Sequence, residues 1–241
     1  PKMALTLNYP GWSISVELLF YIIFPLIFRY LKNKSLNFSA TSILLFWLIS
    51  QIIYQLITLG KIDFPIYSIK DIQYHPIFHL NEFLIGILTG LIFIKSTQKY
   101  ISGLKKTYLG ILSILILLLL LKYPLGLSYH NGLLAIVFSL LIFVVSKSDG
   151  KLSRLFSNRR FIYLGDISYG IYILQYPVWK ALSDIRLEKY FGITNASDNT
   201  IIFIIRLIVL ILLAAFSFKF IENPMRRRIR KLSTTPYKIN C

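Results

Sequence analysis

Cysteine is nearly absent. The only one among 241 residues is Cys241, so no intrachain disulfide, CxxC redox pair or thiolate metal site can form. Acidic residues are scarce as well: 10 Asp+Glu stand against 27 Lys+Arg, for a net charge of +17. Charged residues make up 15% of the chain and hydrophobic residues 56%, a balance that excludes an ordinary soluble domain, in which about 25% of residues are charged. What is abundant is apolar sequence in blocks of about 20 residues, enough to cross a hydrocarbon core of roughly 30 Å. These features indicate an all-α, polytopic transmembrane helix bundle. Residue 1 is Pro1, and no charged region followed by a short apolar core opens the chain. The sequence is therefore expected to be part of a longer one.

Apolar runs between charged or Pro/Gly/Asn-rich breaks give seven expected spans, at 12–31, 39–59, 75–94, 107–121, 129–146, 161–181 and 199–221. The segments between them alternate in charge. Segments 29–38, 95–106, 147–160 and 222–241 hold 18 Lys+Arg, whereas 1–11, 60–74, 122–128 and 182–198 hold 6. That alternation is an orientation signal and predicts an outer N-terminus and a cytoplasmic C-terminus. A pI of 9.9 would also suit a nucleic-acid binder, but placing the basic residues in alternate loops leaves no reason to expect that partner. Binding of phosphates by Lys105-Lys106, Arg159-Arg160 or Arg226-Arg227-Arg228 stays open beside the topological reading. Asn195-Ala-Ser197 has the form of a glycosylation sequon, a pattern common by chance.

Ionisable and polar groups inside spans are costly and point either to a site or to a structural pair. Ser13, Glu17 and Tyr21 follow i, i+4, i+8 spacing and share one helical face. His75, His79, Glu82, Gly86 and Gly90 share an arc of about 80° on the third span, where the Gly-x-x-x-Gly pattern permits close approach of a neighbouring helix. His79 and Glu82 offer two ligands of a metal site, but no third is evident, so a hydrogen-bonded pair is expected and no metal. On the sixth span Ser168, Tyr169, Tyr172, Gln175 and Tyr176 share one face, and Pro177 frees the carbonyl of Ile173. Arg206 lies in an apolar run on the last span. At 1.5 Å per residue, Glu17, Glu82, Gln175 and Arg206 fall about 7 to 11 Å below the outer surface, as a polar cavity would require. The alternative is a strut, in which Arg206 pairs with Glu17 or Glu82.

Four segments, in order, carry a family resemblance. Trp12-Ser13-Ile14-Ser15-Val16-Glu17 with Phe20-Tyr21 and Pro25 resembles the "WSLxxE…FY…P" signature of the acyltransferase 3 family of integral-membrane O-acyltransferases. Glu82-Phe83-Leu84-Ile85-Gly86 resembles its "EFLLG" segment, and Leu164 to Tyr172 with Pro177-Val178 resembles its "LGxISYxxYLxHxPV" helix. Phe220-Ile221-Glu222-Asn223-Pro224 resembles its "xxEkP" ending. The resemblance implies a ten-helix core, of which this chain would hold the last seven helices. Residues 1–231 would form the partial membrane domain and 232–241 a cytoplasmic tail. It also implies transfer of an acyl group, typically acetyl from acetyl-CoA, to a hydroxyl of a polysaccharide, lipopolysaccharide or other exported glycan at the bacterial cytoplasmic (inner) membrane, with acyl-CoA as co-substrate and no bound cofactor. The family's catalytic His and Arg-x-x-Arg segment would lie ahead of Pro1. Gln175 and His79 stand where many members have His and Arg.

The chemistry requires a base for the sugar hydroxyl, donors for the oxyanion and a pocket for the CoA phosphates. Glu17 is the expected orienting group for acid–base work. Trp12, Ser13, Tyr21, His79, Glu82, Ser168, Tyr169, Tyr172, Gln175 and Arg206 are expected to contact the acyl-CoA or the carbohydrate or glycolipid acceptor. Two alternatives remain at this point. One is a transporter or flippase of a glycan or lipid intermediate; the other is a fragment inactive by itself.

Overall fold

The computed structural model describes residues 8–62, 69–96, 103–123, 125–147, 150–194 and 199–233. The sequon at Asn195 and residues 234–241 of the expected tail lie outside them. All regular structure among the described residues is helical: α1 (Trp12–Lys32), α2 (Leu36–Thr58), α3 (Ile69–Tyr74), α4 (Leu80–Lys95), α5 (Gly103–Lys122), α6 (Ala135–Ser146), α7 (Lys151–Phe156), α8 (Arg159–Ala181), α9 (Asp184–Phe191), α10 (Thr200–Ser217) and α11 (Asn223–Ser233). Two compact units are distinguished, one within Trp12–Asn158 and the other within Arg159–Cys241 together with part of Leu5–Gly11.

Seven spans are not all present as expected. Among the described residues, four helical stretches are long and apolar enough to cross a bilayer: Tyr9–Lys32, Leu36–Thr58, Pro76–Lys95 and Thr200–Lys231. Thr107–Lys122 and Ala135–Ser146 are apolar but shorter. Helix α8 has 23 residues, yet the polar face that runs from Ser168 to Tyr176 lowers its mean hydropathy. The fifth span starts six residues later than 129, because Asn131 (φ 60°) and Gly132 (φ 88°) take left-handed conformations that no α-helix accepts. The third span likewise opens with a 3₁₀ turn, Pro76–His79, so α4 proper begins at Leu80. His75 caps that turn in an extended conformation and does not share the face of Glu82 and Gly86.

Local chemistry explains most boundaries. Ser35 Oγ accepts from the Phe38 amide at 3.2 Å and starts α2; Asn199 Oδ1 accepts from Ile201 and Ile202 and starts α10. Helix α9 ends at Gly192 (φ 67°) with paired closing bonds to Glu188 and Leu187. Within the first unit Leu31, Ile43, Ile85, Leu88 and Leu91 form the main cluster, where α1, α2 and α4 meet. Outside it, residues such as Leu118, Leu119 and Leu121 are exposed, which suits a lipid rather than an aqueous surround. Two lysines close helix ends: Lys95 Nζ donates to Lys34 O at 2.8 Å, and Lys147 Nζ donates to Ser96 O at 3.4 Å while lying over the Phe93 ring.

In the second unit α8 and α10 pack through Ile167, Gly170 and Ala214. A Cβ on Gly170 would lie 3.3 Å from that of Ala214, so glycine sets how closely the helices approach. Pro177 removes the donor that Ile173 O would have received within the helix, and Asn8 Nδ2 donates to that carbonyl at 3.0 Å instead. A π turn, Phe218–Glu222, joins α10 to the basic α11.

Candidate functional site

The non-helical segment ahead of α6 builds the site in the first unit. It is held to α2 by polar contacts in register: Trp47 Nε1 donates to Gly132 O at 2.8 Å, Gln51 Nε2 donates to Asn131 O, and Tyr54 shares a bond with Ser128 Oγ. Gln55 forms a reciprocal pair, donating to Ser128 O at 2.7 Å and accepting from its amide at 3.0 Å. These bonds satisfy backbone groups that no helix ladder covers, as membrane-embedded irregular backbone requires. Gly132 is necessary here for two reasons. Its φ of 88° disfavours any side chain, and a Cβ would lie 2.5 Å from Asn81 Oδ1 and closer still to Glu82 Cγ.

Opposite that segment stands the His79–Glu82 pair. His79 Nδ1 and Glu82 Oε1 are 2.7 Å apart, and His79 Nε2 donates to Gln73 O at 2.8 Å. A backbone carbonyl only accepts, so Nε2 carries a proton and both ring nitrogens are engaged. The ring lies against Trp12 at 5.0 Å between centroids, and Trp12 also meets Tyr74 at 5.3 Å. The carboxylate is the accessible member: the Glu82 side chain is 39% exposed and that of His79 only 9%. A cavity of about 300 Å³ gathers Trp12, His79, Glu82, His130, Asn131 and Gly132. Among the described residues no group of three or more His, Cys, Asp or Glu could hold a metal ion.

The structure therefore brings together Trp12, His79 and Glu82 from the expected set and adds His130, Asn131, Gly132, Gln51 and Asn81. Elsewhere it departs from expectation. Glu17 is half-buried with no hydrogen-bond partner among the described residues, Ser13 is half-buried, and Tyr21 is 71% exposed on the same helix. Gly86 and Gly90 do not receive a close neighbour: a Cβ at either would meet nothing within 4 Å.

On α8 the expected inward polar face is not inward. Ser168, Tyr169 and Gln175 are exposed and Tyr172 is half-buried, while Ile167, Gly170 and Val178 are buried, because α10 packs on the apolar side. Arg206 does not take Glu17 or Glu82 as its described partner. Its Nε and Nη2 donate to Leu182 O at 3.0 and 2.7 Å, and Nη2 donates to Asp184 Oδ1 at 2.8 Å. The guanidinium thus joins the end of α8 to the start of α9, with Trp179 beneath it at 6.0 Å. Asp184, 22 residues earlier in the chain, is the anion it pairs with.

The site is thus a pocket with an imidazole–carboxylate pair set among apolar helices. The sequence profile of the acyltransferase domain matches residues 2–219, and the chain belongs to this family, acyltransferase 3. Proteins of Staphylococcus aureus strains COL and MSSA476, provisionally named O-acetyltransferases, are each 25% identical over 244 residues, covering 93% of this chain and 37% of theirs. A protein of the same provisional name from strain MRSA252 is 25% identical over 234 residues, covering 90% of this chain and 36% of its own. The chain spans little more than a third of the length of these relatives. No solved structure matches it.

Proposed function

We propose that this chain is the membrane part of an O-acyltransferase that moves an acyl group, acetyl in the first instance, from acyl-CoA to a hydroxyl of a cell-surface or exported carbohydrate. The observation that carries the reading is the family match over residues 2–219 together with the Glu82–His79 pair in a pocket open to a ligand. The location proposed is the bacterial cytoplasmic membrane with the C-terminus in the cytoplasm, from the alternation of basic loops. Residues 1–231 are the proposed membrane domain and 232–241 its tail.

In the proposed reaction the acceptor O–H gives its proton to a carboxylate as the oxygen attacks the thioester carbonyl. The tetrahedral oxyanion collapses with loss of the CoA thiolate, which takes up a proton. Glu82 suits the proton-accepting role, because Oε1 is held by His79 while Oε2 has no partner among the described residues. His79 is a positioning residue, with both nitrogens committed. Glu17 is the proposed support for acid–base work from α1, and Trp12 and Ser13 the proposed wall beside it. Tyr21, Ser168, Tyr169, Tyr172 and Gln175 remain proposed substrate contacts, whereas Arg206 acts through the position of α8 and α9.

Membranes containing the full-length protein, supplied with radiolabelled acetyl-CoA, should place label on an extracted glycan. Glu82→Gln should lower that transfer about 100-fold or more, and Glu17→Gln by a smaller factor, at equal membrane abundance. Unchanged transfer in Glu82→Gln would remove the carboxylate from the mechanism. Movement of the glycan across the membrane without label would favour a flippase.

A further inference from the structure

We infer that the buried carboxamides of Gln51, Asn81 and Asn131 form a subsite for adjacent hydroxyl groups, and so for the acceptor of the transfer proposed above, on which this inference rests. The three residues are 4, 2 and 3% exposed. Gln51 Nε2 is committed to Asn131 O, and Asn81 Nδ2 to Ser50 Oγ at 2.9 Å, whose own proton goes to Trp47 O at 2.8 Å. The Asn131 carbonyl cannot donate back, so the Gln51 amide cannot be turned over, and Asn81 is placed with its NH₂ toward Ser50. Gln51 Oε1, Asn81 Oδ1 and both side-chain polar atoms of Asn131 are then left without a partner. Buried polar atoms are rarely left so, and here they gather about the Asn131-Gly132 turn.

The position of the cluster connects it to the pair described above. Asn131 borders the 300 Å³ cavity of His79 and Glu82 and also a second cavity of about 390 Å³ that contains Asn81, Ser50 and Tyr54 beside Phe46 and Phe78. The space beside Gly132 that a Cβ would fill is bounded by Asn81 Oδ1 and Glu82 Cγ, so a group held by the carboxamides would lie near the Glu82 side chain. Three oxygens call for donors and one NH₂ calls for an acceptor. A hydroxyl supplies both from a single atom, and neighbouring hydroxyls on one ring supply several. A carboxylate brings no donor to three oxygens, a phosphate monoester dianion none either, and an ammonium ion brings no acceptor to Asn131 Nδ2. The apolar wall of Phe46 and Phe78 suits the C–H face of a sugar ring.

The test is a titration of the full-length protein in detergent with the methyl glycosides of glucose, galactose, mannose and N-acetylglucosamine. The readouts are thermal midpoint and tryptophan fluorescence, to which Trp47 contributes from the site itself. At least one glycoside should bind saturably. Asn81→Leu, Gln51→Met and Asn131→Asp should each weaken that binding at least tenfold, while Ser139→Ala, on α6 away from the cluster, should leave it unchanged. The absence of a saturable response to all four glycosides would overturn the subsite, even if every variant failed to fold. So would equal affinity in the folded variants, or a response to choline or phosphate alone. Glycoside binding without label transfer would refute the acyltransferase reading and leave the subsite standing; label transfer with no glycoside binding would do the reverse.

Discussion

The two units treat polar residues at membrane depth in opposite ways. In the first, polar groups from α2, α4 and the segment before α6 converge on a cavity, and a carboxylate stays accessible within it. In the second, the one deeply buried charge among the described residues, Arg206, is engaged by Leu182 O and Asp184, and the polar face of α8 is largely exposed. An intramembrane ionisable residue is therefore not a site by itself. What distinguishes site from strut is whether hydrogen-bonding capacity is left over after the fold has been satisfied.

Substitutions can break this contrast, and the largest effect should come from Gly132→Ala. The left-handed backbone and the crowding against Asn81 and Glu82 together should cost roughly 3 to 5 kcal/mol, read as a large loss of folded protein in membranes. Arg206→Met should come next. It removes the donors to the Leu182 carbonyl and the ion pair with Asp184, and because the Asp184 side chain is 44% exposed the cost should be about 2 kcal/mol rather than the larger figure for a fully buried pair. Transfer per folded molecule should be retained; its loss would mean that Arg206 belongs to the site. Gln55→Leu removes two bonds to Ser128 and should lower stability by about 1 to 2 kcal/mol, with a larger fractional effect on transfer than Arg206→Met because it loosens the turn that carries Asn131. Thermal midpoints in detergent and label transfer, measured on the same preparations, would check both orderings.

The long apolar runs were legible because α1, α2, α4 and α10 need little besides length and hydropathy to be seen. The start of α6 was not, since Asn131-Gly132 is a two-residue signal inside an apolar stretch and its effect depends on backbone dihedrals. The His79–Glu82 pair could be read from i, i+3 spacing. Gln51 and Asn81 were missed, although Gln175, likewise an amide in an apolar run, was singled out. An amide amid apolar residues is the signal that would have found them. The partner of Arg206 could not be read, because a loop assignment says nothing about whether the chain returns to the end of a helix. Likewise the free carbonyl of Ile173 followed from Pro177, but its donor, Asn8, lies 165 residues away.

The π turn at Phe218–Glu222 also sets the azimuth of everything after it. The buried positions of α10 are Ile202, Arg206, Leu210 and Ala214, one every four residues. In a helix of 3.6 residues per turn such a row winds about 40° per step, so after three steps it has rotated by about 120° away from its starting bearing. One π turn takes in an extra residue and returns about 100° of that rotation. Glu222, five such steps from Ile202, would otherwise lie about 200° round; with the extra residue it lies about 100° round, close to the bearing of Ala214, and like Ala214 it meets Gly170 on α8. A helix that keeps a four-residue row over so long a run must reset its phase somewhere, and this one does so at the Phe220-Ile221-Glu222-Asn223-Pro224 signature.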